Sequence, residues 1–551
     1  MDERLGKMAF VNGRVHTPLG LREALSVEAG RIAAVGTAGE VSEGAETTVD
    51  LKGRAVFPGF SDSHLHFLSW ADSLETLDLT DCDSIEELRE ALRDHAASHP
   101  RDERDENEWY RGRGWNDARM SEGRMPDRRD LDDIVPGTPV LLTRVCGHIA
   151  VLNTAALERL GITRDTRVEG GVIELGEDGE PTGVVGERAV EHIGRLVPGP
   201  RDFDLLRLLE RYGPLAASFG LTQLNTDDLG MFGFDFRRAL DFYTGAEREG
   251  KLPFRVREQF LLPQRELLLD FLSEGWRTGD GTPRFQIGPL KLLCDGSLGG
   301  RTAFLLEDYA DAPPEAASPR GIAAYGQEEL NKLVGVAHSS GMQVAVHAIG
   351  DGGLEMCLRA FEAAREESAR LGSPASARHQ IVHAQTAGGG QLARMKKLRL
   401  GGLIQPSFVP SDREMSVVRL GFDRAARNCR WKTMLKMGIP LAGGSDAPVE
   451  TPCPLVGIHA AVTRRSPGEN GDWTPEERLS VAEAIALYTW NGAWQTGGEK
   501  RRGEILPGLD ADLVVLEEDP FRVPPDDLWK IGVAMTLCGG QVTFRSEDIL
   551  Q

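Results

Sequence analysis

Cysteine is scarce in this 551-residue chain, and what there is forms no pattern. The seven cysteines, at positions 82, 146, 294, 357, 429, 453 and 538, are odd in number and never spaced C-x-x-C. That excludes a disulfide framework and a thiolate zinc site, and it fits a reducing cytoplasm. Long apolar runs are missing as well. None approaches about 18 consecutive residues, so no membrane span is expected. The opening MDERLGKMAF has no apolar stretch of the kind a secretion signal needs. Positive charge is outnumbered: 63 Lys and Arg stand against 85 Asp and Glu, leaving a net charge of -22. Such a balance argues against nucleic acid and anionic membrane as partners and leaves a small molecule as the expected one. Lysine is rarer still, eleven of those 63 residues, the rest being arginine. No internal repeat or low-complexity tract stands out, and oligomeric state has no clear signal, a homo-oligomer remaining open.

What is present is the composition of a globular protein, 40% hydrophobic and 27% charged. The length exceeds what one core usually supports, so a large catalytic domain with a smaller companion is expected. Residues 8–57 read as short strands with turns, Asn12-Gly13 signalling a hairpin and Gly30 a second one. Near the other end, ADLVVLEEDP and IGVAMTLCGGQVTF are again strands bounded by Gly and Pro. The two terminal clusters, 1–57 and 499–551, are expected to meet as one small β-domain. Between them, over 58–498, apolar strand-like runs alternate with helical stretches. That rhythm favours an α/β fold with a parallel sheet, most simply a closed (β/α)8 barrel of the TIM type. The segment from about 100 to 200 breaks it. Charge-rich at first and then hairpin-like in EGGVIELGEDGEPTGVV, it reads as an insertion over the barrel mouth.

The chemistry lies where the strands stop. PGFSDSHLHF puts His64 and His66 one residue apart, and in extended backbone two such imidazoles point the same way and can hold one cation. IGPLKLLCDGS carries Lys291 inside an apolar run. MQVAVHAIGD ends in His347, HQIVHAQ in His383, and IPLAGGSDAP in Asp446. Each alone has a plain alternative: a polar residue at a strand end, a turn cap for Asp446, or pairing with Asp295 for Lys291. Together they fall at the C-terminal ends of successive barrel strands, where active sites of such barrels are built. An ammonium in an apolar strand is costly, and burial pushes it toward the neutral amine. A neutral amine can add carbon dioxide and become a carbamate, an anionic two-oxygen ligand.

The order H-x-H, Lys, His, His, Asp resembles the amidohydrolase superfamily. The longer phrases RVCGHIAVLNTAAL, KLLCDGSLGGRTAFL, VHAIGDGG, IVHAQ, GGSDAPVETPCPLVGIHAAVTR and LPGLDADLVVLEEDP are similar to the amidohydrolase family 3 branch, which includes N-substituted formamide deformylases. The resemblance implies a distorted barrel with a β-sandwich made from both termini. It also implies a centre of one or two divalent ions, usually zinc. His64, His66 and Asp446 would hold the more buried ion, His347 and His383 the more exposed one, and carbamylated Lys291 would bridge them. A bound ion lowers the pKa of its water to near ~7. The expected reaction is therefore hydrolysis of an amide-type C–N bond, with Asp446 as the proton shuttle.

His148, in RVCGHIAVLN, is the best candidate for a further contact to substrate or oxyanion. Asn225 and Asp227, in GLTQLNTDDLG, are expected to shape the pocket. Asp351 is expected to cap the helix after HAIGD, and Trp115 and Asn116 are placed as possible pocket residues by position alone. Two other functions compete. A deaminase on the same centre would want a Glu just after the fifth-strand histidine, and HAIGD stands there instead. A non-catalytic scaffold would have no need of all six ligand positions.

Overall fold

The computed structural model describes residues 6–100, 108–117, 119–144, 149–168, 171–197, 202–228, 235–312, 318–371 and 378–547. Eight strands lie side by side in chain order: β1 (Phe60–Leu65), β2 (Leu221–Thr226), β3 (Arg255–Leu261), β4 (Phe285–Leu293), β5 (Val344–Ala348), β6 (Gln380–His383), β7 (Gly401–Ile404) and β8 (Leu441–Gly443). Every neighbouring pair runs parallel. Parallel neighbours need long crossovers, and helices at 236–248, 265–273, 327–339, 351–370 and 389–398 supply them between β2 and β7. Beyond β8 the Asp446 N–H donates to the His64 carbonyl at 2.8 Å, and the His66 N–H donates to the Ala447 carbonyl at 2.8 Å. These bonds bring the last strand back to the first, and the sheet nearly closes as a barrel.

Register fixes what faces inward. Paired residues on parallel strands share a face, and the ladder runs from His347 to Val382, from Val382 to Leu403, and from Leu403 to Ala442. Ala345, Val382, Leu403 and Ala442 are buried together as one interior cluster. Lys291 pairs with Ala345 and so faces the same interior.

The termini form two further sheets. One has the order Arg31–Gly36, Ala24–Glu28, Met8–Val11, Thr47–Asp50. The other has the order Gln541–Arg545, Val533–Cys538, Leu513–Leu516, Ala55–Pro58, Arg14–Thr17, Gly20–Arg22. A common core joins them, with Phe10, Val27 and Ile32 packed against Val15, Val56, Leu513, Val515 and Met535. The Gly30 turn is a hairpin, with Ala29 and Gly30 both at positive φ as a tight two-residue loop requires. Asn12-Gly13 is not. The strands on either side of it belong to different sheets, and Asn12, at φ 56°, carries the chain across.

Residues Trp70–Arg207 make a second compact unit, inserted in the chain between β1 and β2. Its mixed sheet pairs Leu77–Asp78 with Tyr110–Trp115, and the hairpin at 171–187 completes the other edge. The Ile85–Ser98 helix, capped by Ser84, buries Ile85, Leu88 and Leu92 against Leu131 and Leu142. Trp115 is fully buried in that core and gives its indole N–H to the Leu142 carbonyl at 2.9 Å. It is a core residue, not a pocket wall, because an indole that has found an acceptor gains more from burial than from a solvent face. Asn116 accepts from Arg144 at 3.0 Å. Asp351 also differs from expectation. Gly350 occupies the cap position, and Asp351 is the first helical residue, its carboxylate accepting the Leu306 N–H at 2.8 Å. No helix among the described residues is long and apolar enough to cross a membrane.

The start of β3 is tied to the C-terminal sheet by a buried ion pair. Arg255 reaches Asp512 through Nε at 2.7 Å and Nη2 at 2.9 Å. Asp512→Ala would leave that guanidinium buried without its main partner, and urea unfolding should register a loss of about 3–5 kcal/mol. A loss under about 1 kcal/mol, the range of an exposed pair, would show that the pair does not hold this joint.

Candidate metal centre

All the expected ligands described here come together at one end of the barrel. His64 Nε2 stands 2.9 Å from Lys291 Nζ and 3.3 Å from Asp446 Oδ1. His66 Nε2 is also 3.3 Å from that oxygen. The His383 ring lies 6.0 Å from His64 and 4.5 Å from His347, centroid to centroid. Among the described residues, one donor atom each from His64, His383 and Asp446 falls within 4.8 Å of the others. His383 thus lies within reach of His64 and Asp446 on one side and of His347 on the other. His148 lies outside the described residues.

Two of these side chains reach the interior by an unusual route. Val382 already faces inward, so regular alternation would turn His383 outward. Instead His383 and Ala384 adopt φ of 72° and 49°, and the chain twists the imidazole back into the barrel. Asp446 sits at φ 59°. Left-handed backbone at residues other than glycine costs of order 1–3 kcal/mol each and gathers at functional sites.

The outward nitrogens of three imidazoles are held by acceptors. His66 Nδ1 is 2.6 Å from the Asp227 carbonyl, His383 Nδ1 is 2.7 Å from Gln405 Oε1, and His347 Nδ1 is 3.1 Å from Asp295 Oδ1. An acceptor at Nδ1 places the ring proton there and leaves the Nε2 lone pair pointing inward, the arrangement that metal-binding histidines need. His64 differs, with Gln259 Nε2 at 3.1 Å from its Nδ1. Gln259 Oε1 is buried and has no donor among the described residues. The same amide nitrogen donates to the Asn225 carbonyl at 3.0 Å, which keeps it turned toward His64.

Electrostatics suit a cation. Burial, with Lys291 and the neighbouring imidazoles adding to it, drives His64 well below the ordinary histidine range. Burial likewise takes His383 down to about 3. Both therefore offer lone pairs at neutral pH. Burial lowers the Lys291 amine, with Asp227 and Asp446 pulling the other way. Asp446 is buried too, which opposes its charge, but the His66 hydrogen bond and the surrounding bases outweigh that and hold it below the usual carboxylate value. Burial works against a charge on His66 as well, but there the Asp446 hydrogen bond and the Asp227 and Asp446 charges outweigh it and raise the imidazole. His64 and His383 are therefore the neutral nitrogen donors beside the ionised carboxylate, a combination that suits a zinc-type ion.

Sequence reasoning singled out Asn225, Asp227 and Asp295 but missed Asp62, Gln259 and Gln405 behind the ligands. Asp295, weighed as a partner for Lys291, instead accepts from His347, Ile349, Gly350 and Phe304. Asp62 accepts from the Ser445 N–H and hydroxyl and from the His64 N–H, and burial pushes it up to about 7. Asn225 donates to the Asp62 carbonyl at 2.7 Å. Asp227 comes within 3.9 Å of Lys291 through Oδ2, and its buried Oδ1 has no donor among the described residues. The available signal was polarity inside barrel strands: Gln259 in RVREQFLL and Gln405 in GGLIQPS.

A near-closed parallel barrel with imidazoles, a lysine and a carboxylate at its C-terminal rim defines the class of metal-dependent barrel hydrolases. The sequence profile of the amidohydrolase family matches residues 47–544, and the chain belongs to that family. It is 36% identical over 533 residues to the putative amidohydrolase YtcJ of Bacillus subtilis (strain 168), spanning 95% of this chain and 96% of that one. With the N-substituted formamide deformylase of Arthrobacter pascens it shares 26% identity over 542 residues, 95% of each chain. The crystal structure of an uncharacterized metal-dependent hydrolase from Pyrococcus furiosus superposes with a TM-score of 0.76 at 31% identity, covering 94% of this chain and 100% of that one.

If Asp295 orients His347, Asp295→Asn should weaken metal affinity by about 10–100-fold. Metal content after dialysis in a metal-buffered series measures this, and an unchanged affinity would remove Asp295 from the support of the site.

Proposed function

We propose that this hydrolase cleaves the C–N bond of a small N-substituted amide, with N-substituted formamides and other N-acyl amines as the candidate class. The observation that carries the reading is the placement of Lys291 Nζ at 2.9 Å and Asp446 Oδ1 at 3.3 Å from one atom, His64 Nε2. Kinship to a deformylase over nearly the whole chain supports the substrate class. His64, His66, His347, His383 and Asp446 would hold one or two divalent ions, most simply zinc, with Lys291 beside them. Such an ion, when bound, supplies Lewis acidity and makes water acidic enough to ionise near neutral pH.

The chain's own residues account for the proton. Asp446 Oδ1 is shared by two imidazoles and stays ionised, so it is placed to take a proton from the attacking water. As the C–N bond breaks, the same proton goes to the departing nitrogen. Phe408, stacked on His383 at 5.8 Å between centroids, gives the site an apolar wall. His148 is kept as a substrate contact on the strength of RVCGHIAVLN. The two terminal sheets, with their common core, are read as one small β-sandwich domain attached to the barrel.

For Lys291 the reading is a carbamate. The amine is 1% exposed, and burial favours its neutral, nucleophilic form. Addition of carbon dioxide forms the N–C bond and releases one proton. One observation favours an unmodified, charged lysine instead: Asp227 stands 3.9 Å away, where a second anion would be repelled.

Asp446→Asn should keep most of the bound metal while turnover of N-formyl and N-acyl amines falls about 100- to 10,000-fold. Full activity in that variant would remove Asp446 as the shuttle. Lys291→Ala should lose a metal ion and regain part of its activity with added short carboxylic acids. An Ala variant that keeps its metal, or that these acids do not help, would leave the lysine as the partner of Asp227.

A further inference from the structure

At the opposite end of the barrel, where β3 and β4 begin, a cavity of about 230 Å³ opens between the strand starts and the terminal sheets. Arg31, Arg255, Arg284, Arg501, Asp510 and Glu247 contribute to its walls. Two of these cations are already neutralised. Arg255 is held by Asp512, and Arg501 lies 3.1 Å from Asp510. The other two have only neutral partners. Arg31 gives one N–H to the Gly508 carbonyl at 2.7 Å. Arg284 donates to the Pro253 and Cys538 carbonyls, to the Cys538 sulfur and to Gln541 Oε1. Neither has a carboxylate in ion-pair range among the described residues. Of the carboxylates on the wall, Asp510 is engaged by Arg255 and Arg501, which leaves Glu247 as the one anion facing these two guanidiniums.

We propose that this cavity binds a small oxyanion of two negative charges, held between Arg31 and Arg284. Guanidinium N–H groups match carboxylate and phosphate oxygens. Arg31, with one bond to the protein, brings the N–H donors. Nη1 and Nη2 of Arg284 already serve four neutral acceptors, so that Arg284 brings its charge and Nε. The volume lies below the roughly 300–1,000 Å³ of pockets for larger organic ligands, which restricts the occupant to inorganic phosphate or a short dicarboxylate. Glu247, its carboxylate taken by the Thr282 hydroxyl, is the one uncompensated anion on the wall and holds the affinity down. The walls join the strands Ala24–Glu28 and Arg31–Gly36, through the turn between them, to the starts of β3 and β4. A bound oxyanion would therefore act on the stability of that joint, far from the chemistry.

Thermal unfolding of the full-length protein in graded inorganic phosphate, and separately in graded malonate, tests this at ionic strength held constant with sodium chloride. A saturable rise in melting temperature with either anion and not with chloride is expected, the more effective of the two identifying the source. Arg31→Ala, an exposed residue with one hydrogen bond, should fold normally and weaken the apparent affinity at least about tenfold, roughly the worth of one charge-assisted contact. Glu247→Gln should strengthen it. The absence of a saturable rise in the unaltered protein overturns the proposal. So does a rise undiminished in both Arg31→Ala and Arg31→Glu, which would place the anion elsewhere, including at the metal centre.

Discussion

Two nitrogen bases face each other at 2.9 Å inside a barrel from which water is nearly excluded: His64 Nε2 and Lys291 Nζ. They cannot both carry a charge there, because two buried cations in contact have no solvent to separate them. Around them stand three more imidazoles, with the carboxylates of Asp446 and Asp227 beside them, Asp295 behind His347 and Asp62 behind His64. Protons alone serve such a cluster poorly. A divalent cation would take the place of several protons at once, since binding a metal and deprotonating its ligands are one equilibrium. The folding of the rim, the burial of Lys291 and the kinship to hydrolases all become intelligible from that one crowding.

The backbone is bent to produce it. His383 and Asp446 would be well-behaved strand-end residues at negative φ, but His383 would then look away from the centre it is meant to join. The strain at these positions is sustained by bonds around them. The Asp446 N–H is fixed to the His64 carbonyl, and Asp62 clamps Ser445 from the other side. The same bonds draw β8 toward β1. Closing the barrel and aiming Asp446 are therefore a single structural event, and a chain that failed at one would fail at the other.

The barrel and the identity of the rim residues were legible because both rest on local pattern: apolar runs of strand length, each ending in a residue with a lone pair or a charge. The terminal strands were legible for the same reason, apart from Asn12-Gly13. There a dipeptide that permits positive φ could not say whether the next strand turns back or crosses to another sheet. What stayed hidden was partnership. Nothing in KLLCDGSLGG distinguishes an Asp295 paired with Lys291 from one that accepts from His347, since the choice depends on how β4 and β5 are staggered. Trp115 was misplaced for a related reason: beside a charge-rich stretch it reads as a surface residue, and only the packing of Leu131 and Leu142 shows that it belongs to a core.

The two ends of the barrel divide the work. At the C-terminal ends of the strands, burial keeps His64, His383 and Lys291 toward their neutral forms, so that lone pairs are available. At the N-terminal ends, arginines gather and carboxylates are brought to them from distant parts of the chain, Asp510 and Asp512 from the segment before Leu513–Leu516. Between the ends the interior is not wholly apolar. Arg257 donates to Gln343, and Gln343 and Gln380 both donate to the Gln495 carbonyl. Burial and the nearby Arg502 bring Arg257 down to about 9. A guanidinium so placed opposes any cation above it, so the affinity of the rim must come from its own donors, with Asp446 and Asp227 among its anions. Every donor at the rim meets that same field, so occupancy of the centre is shared among imidazoles and carboxylates, and the charge of Asp446 bears chiefly on the proton it carries.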